Sequence, residues 1–465
     1  MTLPDAAYLV LASRVAPALD GGFAVAVPWR VRQLVDAGAQ HPLLLTLDAA
    51  DPATHTQWRD ELAVHRMDAA AWRNLFDDAQ ADPAWLFAAG VPGAADPAVE
   101  YRQVRDAAGR PLVDLPVIPN NPAWHLTTAP VVVHAPGGDR VLPGFGGLYR
   151  AWLDHIVAQQ RADDPERMVV VICEARQVGE LLVGWGDAHT RLVHTVHNSH
   201  LPAPYDDPDA SLAPPWARWL EHVHDFDAVL WPTRAQRDDV AARFGEDDGF
   251  SVVPNPIELG DEPAAAASRS AARVVMVGRL AAQKRVDLAI DAFVRVHAEM
   301  PSATLDVYGD GPLRETLQSL IDERGLGAVV TLRGRVTPAE RDAAYEQATL
   351  MLSTAAFEGQ GLSIAEALAR GLPVVAFDAK YGPREVIGDG GVLIEPGDVD
   401  ALADAVVALL RDDSWRARLS AAARDAARRF DPAAIRPALV EAMEAAVRHP
   451  SRRATDGPTR RAPQD

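Results

Sequence analysis

Two carboxylates set in a glycine-rich stretch form the strongest chemical motif of the chain. Glu358 and Glu366 enclose Gly359-Gln360-Gly361-Leu362. The glycines allow backbone N–H groups of a loop and of the following helix to approach a ligand closely. We expect Glu366 about one turn into that helix, where its carboxylate can accept two hydrogen bonds from a ribose diol, while Glu358 holds a sugar hydroxyl. The alternatives are a capping role for Glu358 and a solvated helix carboxylate at Glu366.

A pair of cations precedes this motif in the chain. Arg279 follows Gly278 at the end of the predicted strand Arg273–Val277, and Lys284 comes five residues later, just before a predicted helix. Two cations near a helix N-terminus suit a diphosphate, because the helix dipole and the unpaired N–H groups also favour an anion there. Ordinary solvated charge is the alternative interpretation.

Two further glycine loops come at predicted strand ends. Gly309 and Asp310 follow the strand Thr304–Tyr308 and could bring the backbone close to the same ligand. A turn with Asp310 as a helix cap explains them equally well. The sequence Lys380-Tyr381-Gly382-Pro383 follows the strand Pro373–Phe377, where a plain turn is again the alternative.

The first half offers weaker candidates. Gly21 and Gly22 precede a predicted helix, so their N–H groups could face a phosphate, although a structural loop explains them too. His194, His197 and His200 are evenly spaced, which raises the question of zinc. They lie at the end of a predicted strand, where a spacing of three does not align ligands. We therefore expect no metal, and one histidine at the strand end facing a cleft.

The elements that must position these residues alternate between strand and helix. In the second half the predicted strands are Arg273–Val277, Thr304–Tyr308, Val329–Leu332, Leu350–Ser353, Pro373–Phe377 and Val392–Ile394, with helical patterns between them. This alternation predicts a parallel sheet covered on both faces, which binds ligands beyond the carboxyl ends of its strands. Every motif of the second half lies at such an end.

Composition excludes several classes of function. The net charge of −20 and pI of about 5.1 argue against broad nucleic-acid binding, which needs a basic surface. The single cysteine, Cys173, allows no disulfide within the chain and is expected to be a buried strand residue. Without a secretory leader or a long apolar run, the sequence predicts a cytoplasmic protein. Arginines after Val447 predict a disordered tail, with weak contact to anionic lipid at the inner membrane face as the alternative.

Together these residues resemble the retaining glycosyltransferases of the B-type fold. Arg279 and Lys284 match the family's phosphate-binding cations, Glu358 and Glu366 match its glutamate pair, and the likeness is strong over residues 273–430. With Lys380-Tyr381-Gly382-Pro383, the stretch His197-Asn198-Ser199-His200 looks like the wall-teichoic-acid glycosyltransferases. That resemblance places His197 near the transferred sugar and Gly21-Gly22 near the donor phosphates.

The resemblance also implies an architecture: an α/β fold of two Rossmann-like domains facing across a cleft (GT-B), with a β-rich insertion in the first. We expect an N-terminal acceptor domain (1–57 and 146–260), the insertion (58–145) and a C-terminal nucleotide-sugar-binding domain (261–430). A terminal helix (431–447) and a disordered tail (448–465) complete the chain. Paired extended runs with glycine turns favour β-hairpins in the insertion, a candidate surface for self-association.

The implied reaction moves glucose or N-acetylglucosamine from a UDP-sugar, a co-substrate, to a polyol-phosphate polymer or related glycan, with no cofactor or metal. In this assignment His197, Arg279, Lys284 and Glu358 are catalytic. The donor-binding residues are Gly21, Gly22, Gly278, Arg279, Lys284, Gly309, Asp310, Glu358, Gly359, Gln360, Gly361, Leu362 and Glu366. Transfer to a lipid-linked, small-molecule or protein acceptor is an alternative, as is a nucleotide-sugar-binding subunit without activity.

Overall fold

A computed structural model describes residues 2–16, 22–62, 71–212, 214–259 and 272–452. Eighteen strands in this part of the chain form two parallel sheets and one antiparallel sheet, with helices between them. The predicted linker Ala264–Ala272 falls almost entirely outside the described residues.

The first parallel sheet belongs to the N-terminal half. Its strands are β1 (Ala7–Ala12), β2 (Leu43–Thr46), β3 (Trp72–Asn74), β9 (Val169–Cys173), β10 (Thr190–Thr195), β11 (Ala228–Trp231) and β12 (Phe250–Val252). They lie in the order β12-β11-β10-β9-β1-β2-β3. All residues of β1, β9, β10 and β11 are buried, as expected for parallel strands with helices on both faces.

The second parallel sheet belongs to the C-terminal half. Its strands are β13 (Arg273–Val277), β14 (Thr304–Tyr308), β15 (Val330–Gly334), β16 (Leu350–Ser353), β17 (Val374–Phe377) and β18 (Gly391–Ile394), in the order β15-β14-β13-β16-β17-β18. The predicted strands of this half are all present, and the two parallel sheets confirm the predicted fold class.

The antiparallel sheet has five strands: β4 (Val91–Pro92), β5 (Glu100–Arg105), β6 (Pro111–Val117), β7 (Val131–Ala135) and β8 (Gly138–Leu142). Their order is β4-β8-β7-β6-β5. The predicted insertion began earlier, at residue 58, and here the structure differs. Residues 72–74 pair in parallel with β2 as an edge strand of the first sheet. The alternating pattern of a three-residue strand was too short to identify from sequence.

Sixteen α-helices cover the sheets in the described residues. In the N-terminal half they are α1 (Gly22–Asp36), α2 (Pro52–Leu62), α3 (Leu75–Ala81), α4 (Ala84–Ala88), α5 (Gly144–Gln160), α6 (Arg176–Leu182), α7 (Pro214–Glu221) and α8 (Arg234–Phe244). In the C-terminal half they are α9 (Val286–Glu299), α10 (Arg314–Glu323), α11 (Pro338–Gln347), α12 (Leu362–Ala369), α13 (Gly382–Ile387), α14 (Val399–Arg411), α15 (Asp413–Arg428) and α16 (Pro432–Arg448).

The last helix returns to the first sheet. Helix α16 packs on β10, β11 and β12, and Arg191 Nε of β10 donates to the Ala446 carbonyl at 2.9 Å. The chain beyond it is placed too. The Arg452 guanidinium donates to both carboxylate oxygens of Asp247, at 2.7 and 2.5 Å. The expectation of a disordered tail from residue 448 is therefore wrong for 448–452, because Asp247 supplies a counter-charge that the local sequence does not show. Residues 453–465 lie outside the described part.

A buried histidine beside β2 links α2 to α3. His55 is fully buried, and its ring nitrogens bond to Asp77 at 2.8 Å and Asp48 at 2.9 Å. Burial by itself lowers the pKa of His55, but the hydrogen bonds and charges of the two aspartates outweigh it and raise the pKa to about 9. The imidazolium is thus part of the folded state at neutral pH.

This cluster predicts a pH-dependent stability. The pKa of His55 in the folded state exceeds its unfolded value of about 6.5. The imidazolium therefore makes its full contribution to the unfolding free energy below pH ~6.5, and that contribution is lost as the pH rises through ~9. We expect wild type to lose about 2 kcal/mol more unfolding free energy between pH 6 and pH 10 than His55→Gln does. Urea denaturation across this range measures the difference. If the unfolding free energies of wild type and His55→Gln changed equally with pH, His55 would not be charged in the folded state.

Candidate active site

An ion pair lies at the carboxyl edge of the second sheet. The Lys284 ammonium donates to a carboxylate oxygen of Glu358, which is only 7% exposed. Lys284 ends a single turn of 3-10 helix after β13, and Glu358 lies in the loop after β16. The Thr354 hydroxyl holds the two segments together by donating to the carbonyls of Lys284 and Arg285, at 3.0 and 2.8 Å. Two residues 74 positions apart thus meet at one point.

The loop carrying Arg279 is shaped by close backbone packing. A Cβ on Gly309, which has φ +132°, would lie 1.9 Å from the Gly278 carbonyl oxygen, so only glycine fits. Leu280 N donates to the Asp310 carbonyl at 3.0 Å. Asp310 does not cap α10, which begins at Arg314; its carboxylate accepts from Gly311 N. Arg279 itself is exposed; its carbonyl accepts from Ala281 N at 2.8 Å, and its guanidinium bonds to no group among the described residues.

The Glu358 loop touches the first domain directly. A Cβ on Gly359 would lie 2.3 Å from the His197 carbonyl oxygen, so the two backbones are in contact across the cleft. Gly361, with φ +91°, then starts α12, whose first residue, Leu362, lies beside Gly22 at the start of α1. The carboxyl edges of the two sheets therefore face each other here.

The structure gives Gln360 a different task from the predicted one. Its side-chain oxygen accepts from Asn255 N at 2.6 Å and from Asn255 Nδ2 at 3.1 Å, and its Nε2 donates to the Asn255 carbonyl at 2.9 Å. All polar atoms of this buried amide are thus engaged with the segment after β12. The amide fixes the loop to the first domain and is not open to a donor; the sequence could not indicate a partner 105 residues away.

Glu366 lies on α12 as predicted, where it is half-buried, and its oxygens already have partners. One lies 2.9 Å from the Arg341 guanidinium, and the other accepts from the Tyr345 hydroxyl at 3.3 Å. Burial raises the pKa of Glu366, and the charge of Arg341 opposes that rise. Both partners come from α11, so this helix fixes the orientation of the carboxylate that we predict to bind a ribose.

A second charged group lies at the carboxyl edge of the first sheet. His197 Nε2 bonds to Glu174 at 2.7 Å, and Arg30 Nε bonds to the other oxygen of Glu174 at 3.3 Å. Burial would raise the pKa of Glu174, but His197 and Arg30 together hold it below its usual range. The ionised carboxylate accepts the Nε2 proton, which leaves Nδ1 as the nitrogen available to a ligand. Phe23 packs edge-on against the ring, with centroids 5.1 Å apart.

The histidine triplet does not converge. His194 packs against Trp219 and Phe226, whereas His200 stacks on Tyr381. No group of three or more His, Cys, Asp or Glu side chains in the described ranges is arranged to hold a metal ion. Gly21 is outside the described residues, so its predicted contact with phosphate stays a prediction.

Sequence reasoning missed two parts of this site. Glu174 follows the fully buried strand β9 directly, and a carboxylate in that position was a signal that could have been used. The second part joins the domains: Lys380 Nζ bonds to Asp239 of α8 at 2.6 Å, and Glu385 accepts from the first N–H groups of α8, Arg234 N at 2.9 Å among them. Both contacts join the second domain to α8 of the first domain, next to Glu358.

A pocket of about 480 Å³ opens beside His197 in the first domain. Its lining includes backbone and side chains after β1, β9 and β10, together with aromatic groups from the segment before α5 and from α7. His197 and Asn198, the two residues that Gly359 approaches, belong to this lining. None of the helices in the described ranges combines the length and apolar character needed to span a bilayer.

Two domains, each built on a parallel sheet, face each other through their carboxyl edges, an arrangement that suits a ligand bound between them. Residues 263–426 match the family described as "Glycosyl transferases group 1". The chain is 33% identical over 298 residues to D-inositol 3-phosphate glycosyltransferase of Xylanimonas cellulosilytica, covering 58% of this chain and 70% of that protein. The chain belongs to the group 1 glycosyl transferases.

Other similarities are more local in sequence or concern the fold alone. Poly(glycerol-phosphate) alpha-glucosyltransferase of Bacillus subtilis is 31% identical over 249 residues, which are 53% of this chain but only 36% of the relative's length. The structure of a mutant of S. aureus TarM, in complex with Fondaparinux, alpha-GlcNAc-glycerol and UDP, superposes with a TM-score of 0.78 over 94% of this chain and 99% of that one, at 17% identity. The chain therefore shares its fold with TarM over nearly its whole length, and the expected resemblance to glycosyltransferases of the B-type fold is confirmed.

Proposed function

We propose that the protein is a retaining hexosyltransferase that moves glucose or N-acetylglucosamine from a UDP-sugar to a hydroxyl of a polyol-phosphate polymer or related glycan. One observation carries the proposal: the contact between Gly359 and the His197 carbonyl sets the Lys284–Glu358 pair opposite the His197–Glu174 pair. A donor held on the second sheet would then present its sugar to the first domain.

The chemistry needs charge stabilisation at the leaving group. As the bond between C1 and the diphosphate oxygen breaks, negative charge builds on the diphosphate, and Arg279 and Lys284 would stabilise it more strongly than in the ground state. The acceptor oxygen bonds to C1 from the same face, and its proton passes to the departing phosphate oxygen. Glu358 would hold the sugar and Glu366 the ribose, while His197 orients the hexose from the other side.

The donor and acceptor classes rest on similarity. The S. aureus protein was crystallised in complex with UDP, and the name of the B. subtilis relative gives a poly(glycerol-phosphate) acceptor. We place the reaction in the cytoplasm.

A donor screen tests the proposal. The purified chain is incubated with UDP-, GDP- and ADP-hexoses, and nucleotide release is measured with and without polyol-phosphate and glycan acceptors. We expect UDP release that rises with acceptor and a product with the α configuration by NMR. Glu358→Ala should abolish it. Release from no donor would show that the chain binds nucleotide-sugars without transferring them, or does neither.

A further inference from the structure

The pocket beside His197 has an aromatic wall that bears on which acceptor it can bind. Its lining includes Trp124, which is 39% exposed although it is a large aromatic residue. One face of its ring stacks on His125 with centroids 3.6 Å apart, and Phe145 supports it edge-on at 5.0 Å. His125 is in turn fixed by the Tyr149 hydroxyl at 2.8 Å. The indole is thus a rigid, partly uncovered platform.

The cation in the pocket lining already has a carboxylate partner. Among the described residues that line it, Arg176 is the one permanent cation, and its guanidinium donates to Glu180 at 2.8 Å and to the Pro215 carbonyl at 2.5 Å. The same group lies 5.4 Å from the ring centroid of Trp216. A phosphate entering this pocket would therefore meet a cation whose charge the Glu180 carboxylate already balances.

Apart from the ionised Glu174 and the His197 ring bonded to it, the remaining lining carries no charge. Burial lowers the pKa of His125 to about 4 and that of His194 to about 3, so both imidazoles are uncharged at neutral pH. Gln177 supplies an unpaired acceptor in the pocket wall: its Nε2 donates to the Pro122 carbonyl at 2.6 Å, while its buried Oε1 receives no hydrogen bond from any described residue. Such an oxygen attracts a hydroxyl donor and repels a phosphate oxygen.

We propose that this pocket binds an uncharged sugar ring of the acceptor, stacked on Trp124 and hydrogen-bonded to Gln177, in preference to a polyol-phosphate unit. The inference rests on the proposed function and narrows its acceptor to a glycan. The C–H face of a pyranose matches a flat indole, and a few placed polar groups then fix its orientation. The acceptor hydroxyl would project towards His197 and the cleft.

Binding and transfer are measured separately to test this. Methyl hexopyranosides, ribitol and glycerol-phosphate oligomers are titrated into wild type, Trp124→Ala, Trp124→Phe and Trp58→Ala by calorimetry, and the same compounds serve as acceptors with the active donor. Trp58 is a half-buried tryptophan of α2 outside the pocket lining, so its variant controls for the loss of a tryptophan.

We expect a hexopyranoside to bind at least ten times more tightly than ribitol or glycerol-phosphate oligomers. Trp124→Ala should raise its KM at least tenfold and leave donor hydrolysis within twofold, while Trp124→Phe and Trp58→Ala stay near wild type. Tighter binding of the phosphate oligomers, or unchanged glycoside binding in Trp124→Ala, overturns the proposal. If wild type hydrolyses no donor, the proposed transferase activity is refuted. Calorimetric binding of the glycoside then tests by itself whether the pocket holds a sugar ring.

Discussion

Replacing Lys284 with methionine is expected to lower kcat/KM for sugar transfer by about 10²–10³-fold, equivalent to ~2–4 kcal/mol of lost transition-state stabilisation. The Lys284 ammonium lies at the carboxyl edge of the second sheet, where its ion pair with Glu358 fixes a positive charge in the cleft. Steady-state kinetics with the donor found in the screen measure the loss.

A structural effect of this change must be separated from a catalytic one. Lys284→Met leaves the buried Glu358 carboxylate without its counter-charge, which costs folding stability. The double variant Lys284→Met/Glu358→Gln removes that charge, so we expect it to recover most of the Tm but not the transfer rate. Arg428→Ala, which removes an exposed cation of the same domain, serves as the control. Recovery of activity in the double variant would show that Lys284 only neutralises Glu358.

Replacing Gly359 with alanine is expected to lower kcat/KM about 10²-fold without weakening UDP binding more than about threefold. The new Cβ would lie 2.3 Å from the His197 carbonyl oxygen, and because the contact is with backbone, the facing edges must move apart. A displacement of about 1 Å between reacting groups is enough for a loss of this size. UDP, which we propose the second domain binds, is titrated by calorimetry, and transfer is followed separately.

Gly137→Ala provides the matched control for this variant. It lies in the turn between β7 and β8, where a Cβ would meet no atom within 4 Å. We expect it to behave as wild type in both measurements. If Gly359→Ala also transferred sugar at the wild-type rate, the close approach of the two domains would not be needed for the reaction.

Much of the second domain could be predicted from sequence. Its strands are short apolar runs between amphipathic helices, and that local pattern determines a parallel sheet, a type of sheet that binds ligands at its carboxyl edge. Lys284, Glu358 and Glu366 follow such strands, so their common location required no knowledge of side-chain contacts. The first domain was less predictable, since its edge strand β3 has three residues and lies within the region expected to be an insertion.

The tertiary structure decided which polar groups pair, because such pairing joins residues that are far apart in the chain. The carboxylate and the amide that were both predicted to bind the donor differ in this respect: Glu358 meets Lys284, whereas Gln360 meets Asn255. Glu174 could be recognised as part of the site only from its hydrogen bonds to His197 and Arg30 in the structure. Sequence alone thus determined the types of charged residues at the strand ends, and packing across the cleft determined which of them remain open to a ligand.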